Sequence, residues 1–202
     1  MYSRFTKNVP KDGRITFIIP SIGRDTLRRT LDSLLAQTIL NWNAIVVFDG
    51  IEPTIESPDP RIQLMKIPKK GNAGFVRNEG IKVANTEWIG FVDDDDTLTP
   101  NYVECFNREK QNADAILFRM KTPDGKILPV PGDTQFKLGE VGISFCYKRT
   151  IAINKKLLFD NVEGLVPGVC EDWGVLERLR GAMVRIKISS QVVYLCGLSI
   201  KS

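Results

Sequence analysis

Residues Trp88-Ile89-Gly90-Phe91-Val92-Asp93-Asp94-Asp95-Asp96-Thr97-Leu98-Thr99-Pro100 constrain this chain more than any other stretch. A short apolar run, read as a buried strand, stops at four consecutive acids. Thr99 and Pro100 read as the N-cap and first position of a helix. The acids therefore fall on the loop at a strand's carboxyl end, where open α/β sheets bind ligands. Two unit charges about 4 Å apart repel by roughly 4 kcal/mol at an effective dielectric near 20. Four clustered carboxylates require a cation, a cationic ligand or full solvation.

The 202 residues are expected to form one domain with a sizeable core. A hydrophobic fraction of 43% and a charged fraction of 26% suit a soluble globular protein. The net charge of +4 is dispersed, with no polybasic run that would point to nucleic acid or a lipid surface. The first residues lack the apolar core of a signal peptide, and no apolar run reaches transmembrane length. Cys105, Cys146, Cys170 and Cys196 are widely spaced and read as reduced thiols, so the expected setting is cytoplasmic. Histidine is absent, which excludes Ser-His-Asp, Cys-His and HExxH chemistry. A general base is then expected to be Asp or Glu, and any metal a hard, oxygen-bound ion such as magnesium or manganese.

Along the chain, residues 1–13 read as a polar arm and residues 15–20 as a first buried strand stopped by proline. Leu27, Leu31, Leu34 and Leu35 recur at helical spacing, with Arg28, Arg29 and Asp32 opposite. Residues 43–50 and 62–68 read as the next strands. Gly71-Asn72-Ala73-Gly74 opens a helix to about residue 85, with Val76, Ile81, Val83 and Ala84 on its apolar face. This order predicts a mainly parallel sheet with right-handed crossovers. Beyond Pro100 the pattern predicts a helix to about 112, a strand over 114–121, a return strand over 126–130 and strand character over 142–147. A short helix is expected over 154–159, a glycine-rich loop over 161–169, a helix from Glu171, and strands over 184–188 and 192–195.

Five pieces, in order, resemble the family 2 glycosyltransferases of GT-A fold: IIPSIGR at 18–24, VVFDG at 46–50, GNAGFVRNEGI at 71–81, FVDDDDTLTP at 91–100 and CEDWGVLERL at 170–179. The resemblance implies a single α/β domain, a mainly parallel central sheet flanked by helices, with a small antiparallel addition in the C-terminal half. Residues 15–98 would be the nucleotide-sugar half and 99–202 the acceptor side. It implies a metal-dependent, inverting transferase that moves a sugar from a nucleoside-diphosphate sugar, UDP favoured, to a glycan or other hydroxyl acceptor. Asp95 would bind Mn2+ or Mg2+ between the donor's phosphates, with Asp93 or Asp94 on the ribose or assisting the metal. Arg77 would reach the diphosphate, helped by its helix N-terminus. Asp49 would contact the base, although many members have a second acid where this chain has Phe48, and Ser21 would touch the base as well. Asp172, the second acid of the E-D pair, would be the general base. Glu171 and Trp173 are weaker candidates for acceptor contacts. The chain is short for the family, so another domain or subunit could complete the acceptor site.

Two other readings of the acids carry less. Asp93-x-Asp95-x-Thr97 matches the haloacid-dehalogenase-like phosphatases, with Asp93 as nucleophile and Thr122 as a second motif, but three strands precede it. Asp93, Asp95 and Glu104 fit EF-hand positions 1, 3 and 12, yet Leu98 stands where the loop needs glycine. A nucleotide-sugar-binding module without activity is the non-enzyme alternative.

Overall fold

The computed structural model describes residues 11–159 and 171–197. In chain order the elements are β1 (Ile15–Ser21), α1 (Leu27–Leu35), β2 (Trp42–Asp49), β3 (Ile62–Ile67), α2 (Ala73–Val83), β4 (Trp88–Phe91) and β5 (Thr97–Leu98). Then come α3 (Tyr102–Glu109), β6 (Ala115–Lys121), β7 (Ile127–Leu128), β8 (Phe145–Lys148), α4 (Arg149–Asn154), α5 (Glu171–Gly181) and β9 (Ile186–Leu195). All nine strands join one mixed sheet in the order β3-β2-β1-β4-β8-β6-β9-β5, with β7 on β6.

β3, β2, β1 and β4 are parallel neighbours, as the alternating strand and helix pattern predicts. β1 is buried along its whole length, which is why it reads as an unbroken apolar run. β8 then inserts antiparallel between β4 and β6. β9 runs parallel to β6, and its far end pairs antiparallel with β5. The antiparallel pairings all involve strands of the C-terminal half, where the antiparallel addition was expected.

Several boundaries move for identifiable reasons. Thr97 and Leu98 pair with Leu195 and Tyr194, and the Thr99 N–H goes to the Val193 carbonyl at 3.0 Å. Thr99 is therefore held in sheet pairing, and α3 starts at Tyr102 and ends at Glu109. The helix expected over 154–159 forms earlier, over Arg149–Asn154. Buried Arg149 bonds the Ile81 and Lys82 carbonyls at the end of α2, and Lys156 at φ 52 breaks the chain out of helix. The two C-terminal strands merge into β9, whose pairing with β6 shifts register around Arg119 instead of turning. Strand pairing over 126–130 and 142–147 narrows to Ile127–Leu128 and Phe145–Lys148. Val83 is 41% exposed and leaves the apolar face of α2. Residues 1–10 of the arm expected over 1–13, the loop over 161–169 and Cys170 lie outside the described residues, while Gly13 donates its N–H to Glu87 at 3.0 Å. No described helix is long and apolar enough to cross a membrane.

α2 lies directly on β1 and β2. A Cβ at Gly80 would sit 2.5 Å from Ile18 Cγ2 and 3.3 Å from Val47 Cγ2, and Ile18 is fully buried. Alanine is the better helix former by about 1 kcal/mol, but overpacking a filled core costs about 1–3 kcal/mol. Gly80→Ala is therefore expected to lower the urea midpoint of unfolding, the crowding outweighing the propensity gain.

Candidate active site

The carboxyl ends of β1, β2 and β4 deliver Ser21, Asp49 and the acids Asp93 to Asp96 to one edge of the sheet. Ser21, Asp49 and Asp93 to Asp95 border a cleft of about 650 Å³, lined also by Arg24 and Asn72. Asn72 caps α2, its side chain accepting the Phe75 N–H at 3.1 Å, so the helix N-terminus opens onto the cleft. That end of a helix favours anions.

The four acids have four different environments. Asp93 accepts from Arg77 Nη2. Asp94 is buried and fully engaged: Ser21 Oγ donates to it at 2.8 Å, Arg24 Nη1 at 2.8 Å and the Ile22 N–H at 3.4 Å. Burial raises its pKa, against the pull of Ser21 and Arg24. Asp95 faces Arg24 Nη1 at 3.2 Å, and its carbonyl accepts from Arg29 at 2.7 Å. Asp96 accepts from the Tyr194 hydroxyl at 2.6 Å and from the Gly197 N–H at 2.6 Å. Burial above all pushes its pKa up to about 6, with Tyr194 lowering it and Asp93 raising it. One carboxylate oxygen each from Asp93, Asp95 and Asp96 lies within 4.8 Å of the other two. An all-oxygen set of this kind suits a hard divalent ion. Sequence reasoning assigned the metal to Asp95 and passed over Asp96, because nothing in four identical letters distinguishes the fourth.

Arg77 lies deeper than its expected role implies. It is 2% exposed, with its Nη1 on Glu171 Oε1 at 2.5 Å and 3.8 Å from Asp172 Oδ1. Burial opposes its charge, yet Asp93, Asp172 and Glu171 together hold its pKa above the ordinary arginine value. It joins the acid loop to the first turn of α5. Gly74 makes room for this: a Cβ there would meet Phe159 Cβ at 2.8 Å and Glu171 Oε2 at 3.0 Å. Asn78, one residue on, clamps Phe159 through both its N–H and its carbonyl, at 2.9 and 2.7 Å.

Asp172 sits beside this arginine with its side chain 16% exposed, and its Oδ1 has no hydrogen-bond partner among the described residues. Burial foremost lifts its pKa to about 7; Arg77 pulls it down, while Asp93, Glu171 and Asp96 push it up. A carboxylate whose pKa is raised to about 7 is suited to taking a proton.

Other candidates are placed less simply. Both oxygens of Asp49 accept backbone N–H groups, from Lys70 and from Gly71 at 2.9 Å, so this acid shapes the β3–α2 loop while bordering the cleft. Glu171 is committed to Arg77. Trp173 packs edge-on against Phe136 with ring centres 5.7 Å apart. Thr122 turns its hydroxyl to Asp124 and the Lys126 carbonyl in the β6–β7 turn.

The sequence matches the family model "Glycosyl transferase family 2" over residues 16–159. The chain belongs to glycosyl transferase family 2. Among characterised relatives, succinoglycan biosynthesis protein ExoO of Rhizobium meliloti (strain 1021) is 33% identical over 93 residues, 43% of this chain and 27% of that protein. UDP-Glc:alpha-D-GlcNAc-diphosphoundecaprenol beta-1,3-glucosyltransferase WfgD of Escherichia coli is 30% identical over 99 residues, 46% of this chain and 39% of that protein. The chain thus spans well under half the length of these two relatives. The fold matches TarS of S. aureus, residues 1–349, with a TM-score of 0.72 at 18% identity, covering 91% of this chain and 60% of that one. This is the GT-A fold, and the family match leaves the phosphatase and EF-hand readings without support.

Arg77 is the test of the site's construction. Removing one member of a buried ion pair costs about 3–5 kcal/mol, because the partner charge is stranded. Arg77→Met is expected to destabilise the fold by that order at pH 8 in chemical unfolding. Part of the loss should disappear as the pH falls from 8 through about 7, where Asp172 takes up its proton and no longer faces Arg77 as a charge.

Proposed function

We propose that this chain transfers a sugar from a nucleoside-diphosphate sugar, UDP favoured, to an acceptor hydroxyl, with inversion by a single displacement and with Mn2+ or Mg2+ bound at Asp95 and its neighbours Asp93 and Asp96. The observation that carries this reading is the continuous link from acid triad to base: Asp93 to buried Arg77 to Asp172, whose Oδ1 faces Arg77 at 3.8 Å and accepts no hydrogen bond among the described residues. One relative and one structural neighbour lend support to the donor. WfgD is named for UDP-Glc, and TarS crystallised with UDP-GlcNAc and with UDP.

A divalent cation at the triad would supply charge neutralisation for the departing diphosphate. This chain's residues do the remaining work. The α2 N-terminus and Asn72 offer an anion-favouring wall to the phosphates. Ser21 and Asp94 form the cleft floor near the base and ribose, and Asp49 holds the loop that closes that end. Asp172 receives the acceptor's proton as the acceptor oxygen bonds to the anomeric carbon and the bond to diphosphate breaks. Arg77 fixes the base side against the donor side. Glu171 and Trp173 border the acceptor approach, which another domain or subunit completes.

Calorimetric titration with UDP, GDP and dTDP, each with and without manganese, tests the donor site. UDP is expected to bind only with the metal, and Asp95→Ala is expected to abolish that binding. Failure of every nucleotide to bind would overturn the reading. Asp172→Asn should keep UDP binding but reduce transfer by at least a hundredfold; normal transfer would remove Asp172 as the base.

The pH profile carries a sign. Asp172 works ionised, and its folded pKa is raised to about 7. kcat/KM should therefore be flat above that pH and fall about tenfold per unit on the acid side. The midpoint should lie at or below 7, because a cation at the triad favours the ionised form.

A further inference from the structure

The family match ends at residue 159, yet the acid loop is closed by residues well beyond it. Tyr194, on β9, is 1% exposed and reaches two of the triad's members at once. Its hydroxyl accepts the Asp93 N–H at 3.2 Å and lies 2.6 Å from Asp96 Oδ2. The Asp93 N–H can only donate, so the hydroxyl proton must point to Asp96. That fixes Oδ2 as an acceptor and orients the carboxylate. Gly197 fills the other side: its N–H donates to Asp96 Oδ1 at 2.6 Å, and its missing Cβ would fall 1.8 Å from the Asp95 carbonyl oxygen. No side chain larger than hydrogen permits that approach. β5 adds sheet pairing between Leu98 and Tyr194 itself, so the loop's exit is registered to the same strand.

We infer that Tyr194 and Gly197 are positioning residues for the cation-holding loop, setting the Asp93 backbone and the Asp96 carboxylate in a ligating arrangement before a divalent ion arrives. The inference rests on the metal reading under Proposed function and extends it to the C-terminal strand. Asp93, Asp95 and Asp96 repel one another when ionised, and an untethered loop would splay them apart. A tyrosine hydroxyl and a backbone N–H hold the fourth acid inward without introducing a competing positive charge. Outer partners of this kind characteristically change metal affinity by about 10–100-fold when removed.

The experiment is a Mn2+ titration of the full chain, with UDP present, read by electron paramagnetic resonance of the free ion. Tyr194→Phe keeps the ring and its packing and loses only the hydroxyl. Its Mn2+ dissociation constant should rise about tenfold. The Mn2+ concentration for half-maximal transfer should rise in step, while kcat at saturating Mn2+ stays within about twofold. Gly197→Ala sets a methyl against the Asp95 carbonyl and displaces the N–H that Asp96 accepts, and should weaken Mn2+ binding in the same direction. A lowered melting temperature with unchanged Mn2+ affinity in both variants would reduce Tyr194 to packing and overturn the inference. Should the unmodified chain take up no Mn2+, the metal reading itself fails, a result visible before any variant is compared.

Discussion

The buried guanidinium of Arg77 is the interaction on which the rest of this site depends. It is 2% exposed and has carboxylates on opposite sides, Asp93 from the acid loop and Glu171 with Asp172 from the start of α5. A buried ion pair contributes little net stability, since desolvation offsets most of the attraction, but breaking one is costly. Its consequence here is positional. One planar cation with donors at fixed angles sets the distance between the end of β4 and the first turn of α5. The glycine at 74 lets α5 come that close, and Asn78 pins Phe159 to α2. The sequence reading sent Arg77 to the donor's phosphates; in the structure it is buried between the acid loop and the start of α5.

Four adjacent aspartates differ only in what faces them. Asp94 meets Ser21 and Arg24, Asp96 meets Tyr194 and Gly197, Asp93 meets Arg77, and Asp95 borders the cleft. Most of these partners lie seventy or more residues away in sequence, so a local pattern shows that the loop is special and cannot divide the labour within it. The same applies to Asp49, whose carboxylate is recognisable at a strand end but whose two backbone donors come from the loop after β3.

The N-terminal half was legible because its signals are local. Parallel strands covered on both faces appear as apolar runs, and proline, glycine and the Asn72 cap mark where they stop and where α2 begins. The Glu171 helix start was legible in the same way, and Val175, Leu176 and Leu179 are its buried residues. The C-terminal half was less so. β5 is two residues long and exists only because β9 comes alongside it, and β8 reaches its place between β4 and β6 through tertiary pairing. In β9 the polar Ser189-Ser190-Gln191 reads as a break, but Ser189 Oγ bonds buried Glu109 at 2.8 Å and the strand continues through.

This division of the chain has a physical consequence for the chemistry. A loop of clustered carboxylates stores repulsion, and something outside the loop must resist it. Here the resistance comes from both directions, Arg77 and Arg24 supplying charge from the N-terminal half and Tyr194 and Gly197 supplying neutral donors from the last strand. Charge-bearing clamps stabilise the acids most but also compete with a metal ion for their oxygens. Neutral donors orient a carboxylate while leaving its charge available. Buried Asp96 is therefore oriented by neutral donors that leave its charge uncompensated, whereas Asp94, tied to Arg24 and Ser21, is already satisfied. The contribution of each acid follows from the charge of its partner, not from its place in the motif.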